Sequence, residues 1–173
     1  MEYMFLPLKR YAEFSGRSRR MEYWMFVLFQ ALLGVAFTVL IMIVGGAAAM
    51  GGGNPGALMA AGGGVMILSL LYMLVCLALI IPAIAVGVRR LHDTNRSGWW
   101  LLAPLGPYVL MFAAIAMAAS GSGSGAAILS AVGGIGVLVL GVMLLVFLLL
   151  DGTKGPNRFG PDPKQRTSEE VFA

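Results

Sequence analysis

Two stretches of this chain, residues 23–88 and 97–150, contain no Asp, Glu, Lys or Arg at all. They are 66 and 54 residues long. A hydrocarbon core about 30 Å thick is crossed by about 20 apolar residues at 1.5 Å per residue, so each block is too long for one crossing and suits two. Hydrophobic residues make up 59% of the chain, charged residues 12%, and the mean hydropathy is +0.87. Ordinary soluble domains are about 25% charged, and a chain this short leaves roughly a third of its unfolded surface in solvent, so no soluble fold hides this much apolar area. Disorder requires low hydrophobicity and high net charge and is excluded as well.

A turn is expected in the middle of each block. Nine glycines with Asn54 and Pro55 fall between Gly45 and Gly64, and Ser120-Gly121-Ser122-Gly123-Ser124-Gly125 interrupts the second block. Each helical glycine costs about 1 kcal/mol relative to alanine. The expected fold is all-α: a polytopic membrane protein with four transmembrane helices, at about 23–44, 65–88, 98–119 and 127–150, arranged as two hairpins. The apolar runs lack strict alternation and are about twice the length of a barrel strand. Ala47-Ala48-Ala49 resembles a signal cleavage site, but the apolar stretch before it exceeds an h-region, so the first helix is kept in the mature protein.

All twelve basic residues lie in three segments: 1–22, 89–97 and 151 onward. Four crossings place those segments on one side, and the excess of Lys and Arg makes that side the cytoplasm, with both termini there. Tyr23, Trp24, Trp99 and Trp100 fall where the basic segments meet the hydrocarbon and read as interfacial anchors. Residues 5–14 read as a short interfacial helix opened by Pro7, with Phe5, Leu8 and Tyr11/Ala12 at helical spacing. Residues 1–161 form a single membrane domain whose cytoplasmic cap is built from 1–22, 89–97 and 151–161, and 162–173 is a mobile tail.

Three motifs carry a resemblance. Gly16-Arg17-Ser18-Arg19-Arg20-Met21-Glu22-Tyr23-Trp24, then Gly87-Val88-Arg89-Arg90-Leu91-His92-Asp93-Thr94-Asn95-Arg96-Ser97-Gly98-Trp99-Trp100, then Asp151-Gly152-Thr153-Lys154-Gly155-Pro156-Asn157-Arg158-Phe159-Gly160-Pro161-Asp162-Pro163 resemble the signatures of the DUF805 family of bacterial inner-membrane proteins, in order and over nearly the whole chain. The resemblance implies a four-helix inner-membrane protein and leaves the biochemical activity undefined.

The cap residues support two readings. Arg19, Arg20, Arg89, Arg90, Arg96 and Arg158 offer planar forks suited to phosphate, and the start of the third helix near Ser97-Gly98 adds backbone N–H groups, which together describe an anion or lipid-headgroup site. Alternatively the arginines set topology and snorkel to lipid phosphates without a selective pocket. His92 and Asp93 are the only candidates for acid/base catalysis, but no nucleophile accompanies them. Pairing of Asp93 with Arg89, Arg90 or Arg96, and of Asp151 with Lys154 or Arg158, is the structural reading, with His92 in the same loop.

One histidine and the single Cys76 cannot make a metal site, so neither metal nor cofactor is expected. No ionisable Asp, Glu, Lys or Arg lies within a span, against a coupled pump in one chain. Pro82, Pro104 and Pro107 should kink their helices, and Ala114/Ala118, Ala127/Ala131 and Ser130/Gly134 offer small-residue faces for close packing or a homo-oligomer. The expectation is a non-enzymatic inner-membrane module whose cap binds anionic lipid or a partner, not nucleic acid. The alternative is a small oligomeric transporter or channel subunit.

Overall fold

The computed structural model describes residues 2–50, 54–121 and 123–164, without the side chains of 48–50. Its elements are α1 (Glu2–Lys9), α2 (Arg20–Met50), α3 (Pro55–Asp93), a 3-10 helix (Gly98–Leu102), α4 (Leu105–Ala119) and α5 (Gly123–Leu149). Among the described residues there is no strand, only an isolated bridge between Asn157 and Gly160. The described residues of 2–13 and 21–85 form one compact unit, and those of 14–20 and 86–164 form a second. Four of the helices, the third counted with its 3-10 turn, are long and apolar enough to cross a membrane.

The helices overrun the spans expected from sequence. α3 alone has 39 residues, about 58 Å at the helical rise, nearly twice the hydrocarbon thickness. Gly45 and Gly46 lie inside α2, Gly56 and Gly62 to Gly64 inside α3, and Gly123 and Gly125 at the start of α5, so the two turns are far shorter than their glycine content suggested. A helical glycine costs only about 1 kcal/mol, and a helix already nucleated along an apolar span propagates through it. The N-terminal helix occupies Glu2–Lys9 instead of 5–14, with Pro7 inside it and not at its opening.

The prolines act differently from one another. Pro104 is the N-cap of α4 and Pro107 lies in its first turn, where backbone N–H groups have no helical partner, so these two start a helix and the expected kink becomes a break after the 3-10 turn. Pro82 sits well inside α3 and removes the N–H that would bond the Ala78 carbonyl four residues back. That carbonyl instead accepts a hydrogen bond from the Tyr11 hydroxyl. Phe5 stacks edge-on against Phe29 of α2, with centroids 5.4 Å apart, so two aromatic side chains of the N-terminal segment have partners on the long helices of the first unit.

Between α4 and α5 the close approach is made by Gly133 and Gly136. A Cβ on Gly133 would lie 2.7 Å from Met111 Cγ and 3.0 Å from the Pro107 carbonyl, and one on Gly136 would lie 2.9 Å from Pro107 Cγ. Gly134 has open space beside it, and Ala118, Ala127, Ser130 and Ala131 are exposed; of the small residues expected in packing faces, Ala114 is buried. The helix rotation that presents Gly133 inward turns its neighbours toward the surroundings.

In their most apolar windows the four helices are 0%, 0%, 6% and 11% buried within the chain, so their apolar surface is left to the surroundings. The buried set is correspondingly unusual: Phe26, Ala85, Val86 and Leu91 are joined by Arg17, Ser18, Glu22, Arg89, Arg90, Asp93 and Thr94. Removing the Tyr11 hydroxyl should expose what Pro82 left open. We expect Tyr11→Phe to lower unfolding free energy in detergent by about 0.5–1.5 kcal/mol, the net worth of one hydrogen bond, and Pro82→Ala in the same chain to restore most of it. Thermal melts of the two single variants and the double variant measure the cycle.

Candidate functional site: a basic cap around Asp93

The second unit gathers residues from each of the three sequence motifs around one carboxylate. Asp93 ends α3, a position where the helix dipole disfavours negative charge, so it requires cations. Two guanidiniums supply them. Arg17 donates from Nε to Asp93 Oδ1 at 3.0 Å, with its Nη2 2.9 Å from the same oxygen, and Arg90 donates from Nη1 to Oδ2 at 2.6 Å. All three side chains are at most 3% exposed.

The remaining donors of both arginines go to main-chain carbonyls. Arg17 reaches Gly155 O at 2.7 Å and Thr153 O at 2.5 Å. Arg90 reaches Leu148 O at 3.1 Å and also Leu150 O, so it closes the C-terminal end of α5, where unpaired carbonyls and the negative dipole end favour a cation. Two cations against one carboxylate leave a surplus positive charge, which these carbonyls offset. Arg89 is also fully buried, and its carbonyl accepts from the Ser18 N–H at 3.1 Å.

The third motif is fitted to the same carboxylate. A Cβ at Gly152 would lie 2.0 Å from Asp93 Oδ2, so only glycine lets the chain pass there. Thr153 then donates from its N–H to the Asp93 carbonyl at 2.9 Å, and Asn157 donates from Nδ2 to the His92 carbonyl and to Thr153 Oγ1, both at 2.9 Å. Asn95, at φ 59°, makes the left-handed turn out of α3. The His92 ring lies flat on Phe159, 3.8 Å between centroids and 4° between planes, with Nδ1 3.2 Å from the Gly16 carbonyl. The Nδ1 proton therefore faces Gly16, while the Asp93 carboxylate faces the arginines; the two candidate acid/base groups have separate partners.

The outer cations form a second layer. Arg20 pairs with Asp151 at 2.7 Å and donates to Leu149 O at 3.1 Å, and Lys164 lies 3.4 Å from the same carboxylate. Asp151 thus pairs with Arg20 and Lys164 and not with Lys154 or Arg158. Arg19 donates to the Pro163 carbonyl at 2.6 Å. Arg96 lies 3.9 Å over the Phe147 ring, against which Trp100 packs edge-on, and Arg158 donates to Asn95 O at 3.1 Å. Trp99 is 77% exposed, and Tyr23 and Trp24 pack edge to face, 5.3 Å apart.

Asp162 accepts from the Gly155 N–H at 3.1 Å and the Lys164 N–H at 2.9 Å. Residues 162–164, expected in the mobile tail, are therefore tied into the cap; the rest of that tail lies outside the described residues. The Lys164 N–H above all holds the Asp162 carboxyl below its usual range. Of the six arginines expected at an anion site, Arg89 and Arg90 are enclosed by protein, while Arg17, absent from that expectation, is at the centre. Asp93 was the readable signal for it, as the sole acid between Arg89 and Arg96. Among the described residues, no three His, Cys, Asp or Glu side chains are grouped to hold a metal ion.

The family described as "Protein of unknown function (DUF805)" matches residues 11–161. The chain is 35% identical over 164 residues to "Inner membrane protein YhaI" of Escherichia coli K12, covering 95% of this chain and 97% of that one. It is 34% identical over 164 residues to "Inner membrane protein YhaH" of the same strain, covering 95% and 98%. No solved structure matches.

Two outcomes test this geometry. Asp93→Asn leaves two buried guanidiniums without a counter-charge and should destabilise the protein by about 3–5 kcal/mol, measured by denaturant unfolding in detergent. A folded-state pKa below the ordinary value means that the Asp162 contribution is complete above about pH 4 and is lost as pH falls through the depressed value. Amide resonances of Gly155 and Lys164 should titrate below pH 3.8 in the native chain and not in Asp162→Asn.

Proposed function

This chain belongs to the DUF805 family, and from that premise we propose that it is a non-enzymatic inner-membrane module whose basic cap faces the cytoplasm and binds anionic lipid headgroups. The observation that carries the reading is the division of labour among the cations. Arg17 and Arg90 have their donors committed to Asp93 and to backbone carbonyls, so they build the cap and leave no fork for a ligand. Arg20, Lys154, Arg158 and Lys164 are exposed in the second unit, where the one exposed acid among the described residues is Asp151.

Exposed Lys and Arg near an anionic leaflet contribute about 1 kcal/mol each, with a reach of about a Debye length, so a surface of this kind favours anionic lipid without a deep pocket. Concentration of all twelve basic residues in three segments supports the cytoplasmic orientation. The separate engagement of His92 and Asp93 supports a non-enzymatic role.

The test is lipid retention. Reconstituted in mixed phosphatidylglycerol and phosphatidylcholine, the protein should retain phosphatidylglycerol on extraction, and Lys154→Gln/Arg158→Gln/Lys164→Gln should lower that retention at least threefold. Unchanged retention by a folded triple variant overturns the lipid reading. A periplasmic location for a reporter fused after Ala173 overturns the orientation, and ion conductance in liposomes would favour a channel subunit.

A further inference from the structure

Within the first unit, α2 and α3 flank a half-open cavity of ≈ 250 Å³ lined by Gln30, Leu33, Tyr72, Cys76, Leu79 and Ala83. It lies inside the long charge-free block. Gln30 is ten residues into α2 and Cys76 thirteen residues before Arg89, about 15 and 20 Å of helix from the nearest arginine in sequence. Thr38, in the same helix as Gln30, donates to Gly34 O at 2.8 Å. Gln30 differs. Its amide makes no hydrogen bond to another described residue, and an amide facing hydrocarbon without a partner is costly. Tyr72 lines the same space, and its hydroxyl packs close to Gly34, where a Cβ would come within 3.1 Å of the oxygen.

We propose that this cavity binds the neutral, oxygen-bearing head of a lipid-soluble molecule, whose carbonyl or hydroxyl oxygen accepts a hydrogen bond from the Gln30 amide while its tail lies along the apolar helices. No charged group lines the cavity, which excludes phosphate and carboxylate heads at this depth. The volume falls below the roughly 300 Å³ at which pockets for drug-sized ligands begin, so it takes one ring or one chain end. The carbonyl and hydroxyl alternatives correspond to a quinone and to an isoprenoid alcohol. This site is independent of the basic cap and of its lipid preference.

Cys76 is the sole cysteine and lines the cavity, so its alkylation reports occupancy. The full chain in phosphatidylcholine nanodiscs is treated with N-ethylmaleimide and followed by intact mass, which also separates any quinone adduct. Decylubiquinone or farnesol should slow alkylation at least threefold, and whichever protects identifies the head; hexadecane should not protect. Gln30→Met should abolish protection while leaving the probe-free rate within twofold. Ala83→Phe, which fills the cavity and keeps Gln30, should mimic occupancy and carries the test if Gln30→Met does not fold. Protection by neither oxygen-bearing probe, equal protection by hexadecane, or full protection in folded Gln30→Met would overturn the proposal.

Discussion

The cap depends on a single carboxylate held between two buried guanidiniums. Asp93 is placed against the dipole of its own helix, and Arg17 and Arg90 are placed out of water, so none of the three is tolerable alone. Together they satisfy one another and use the leftover donors to fix the end of α5 and the loop of Thr153 to Gly155. A buried ion pair of this kind adds little net stability over an apolar replacement. Its effect is specificity, because the two forks accept only one arrangement of the three segments they join. Gly152 shows how tight that arrangement is, since a single methyl group at that position would overlap the carboxylate.

The spans follow the opposite logic. Their side chains are mostly directed outward, and hydrophobicity offers no driving force between helices when the surroundings are as apolar as leucine. Close backbone approach and local hydrogen bonding take over. Gly133 and Gly136 let α5 meet the Pro107 and Met111 region of α4, and Tyr11 supplies the donor that Pro82 removed from α3. The protein thus has a polar interior at its cap and an apolar exterior along its spans, the reverse of a soluble domain.

Much of this was legible in the chain. The charge-free blocks dictated four helices, and the tight grouping of Arg, Asp, Asn and Gly in three motifs marked the cap. The helix ends were less legible, because glycine and proline are read with soluble propensities: Gly45, Gly46 and Gly62 to Gly64 are helical, and Pro104 begins a helix. Roles within the cap were legible only by type. Arg90 and Arg158 look alike in sequence, yet one is enclosed and the other exposed.

Sequence alone therefore determined that the chain is all-helical, lives in a membrane and concentrates its charge outside the spans, because desolvation of charge and the hydrogen-bond needs of backbone in lipid act on residue type and run length. Which arginine meets Asp93, why residue 152 must lack a side chain, and which oxygen Tyr11 covers were decided only by tertiary structure. Those facts depend on contacts between segments up to 76 residues apart for Arg17 and Asp93, and hydrogen-bond distances a few ångströms long are not encoded in any local pattern.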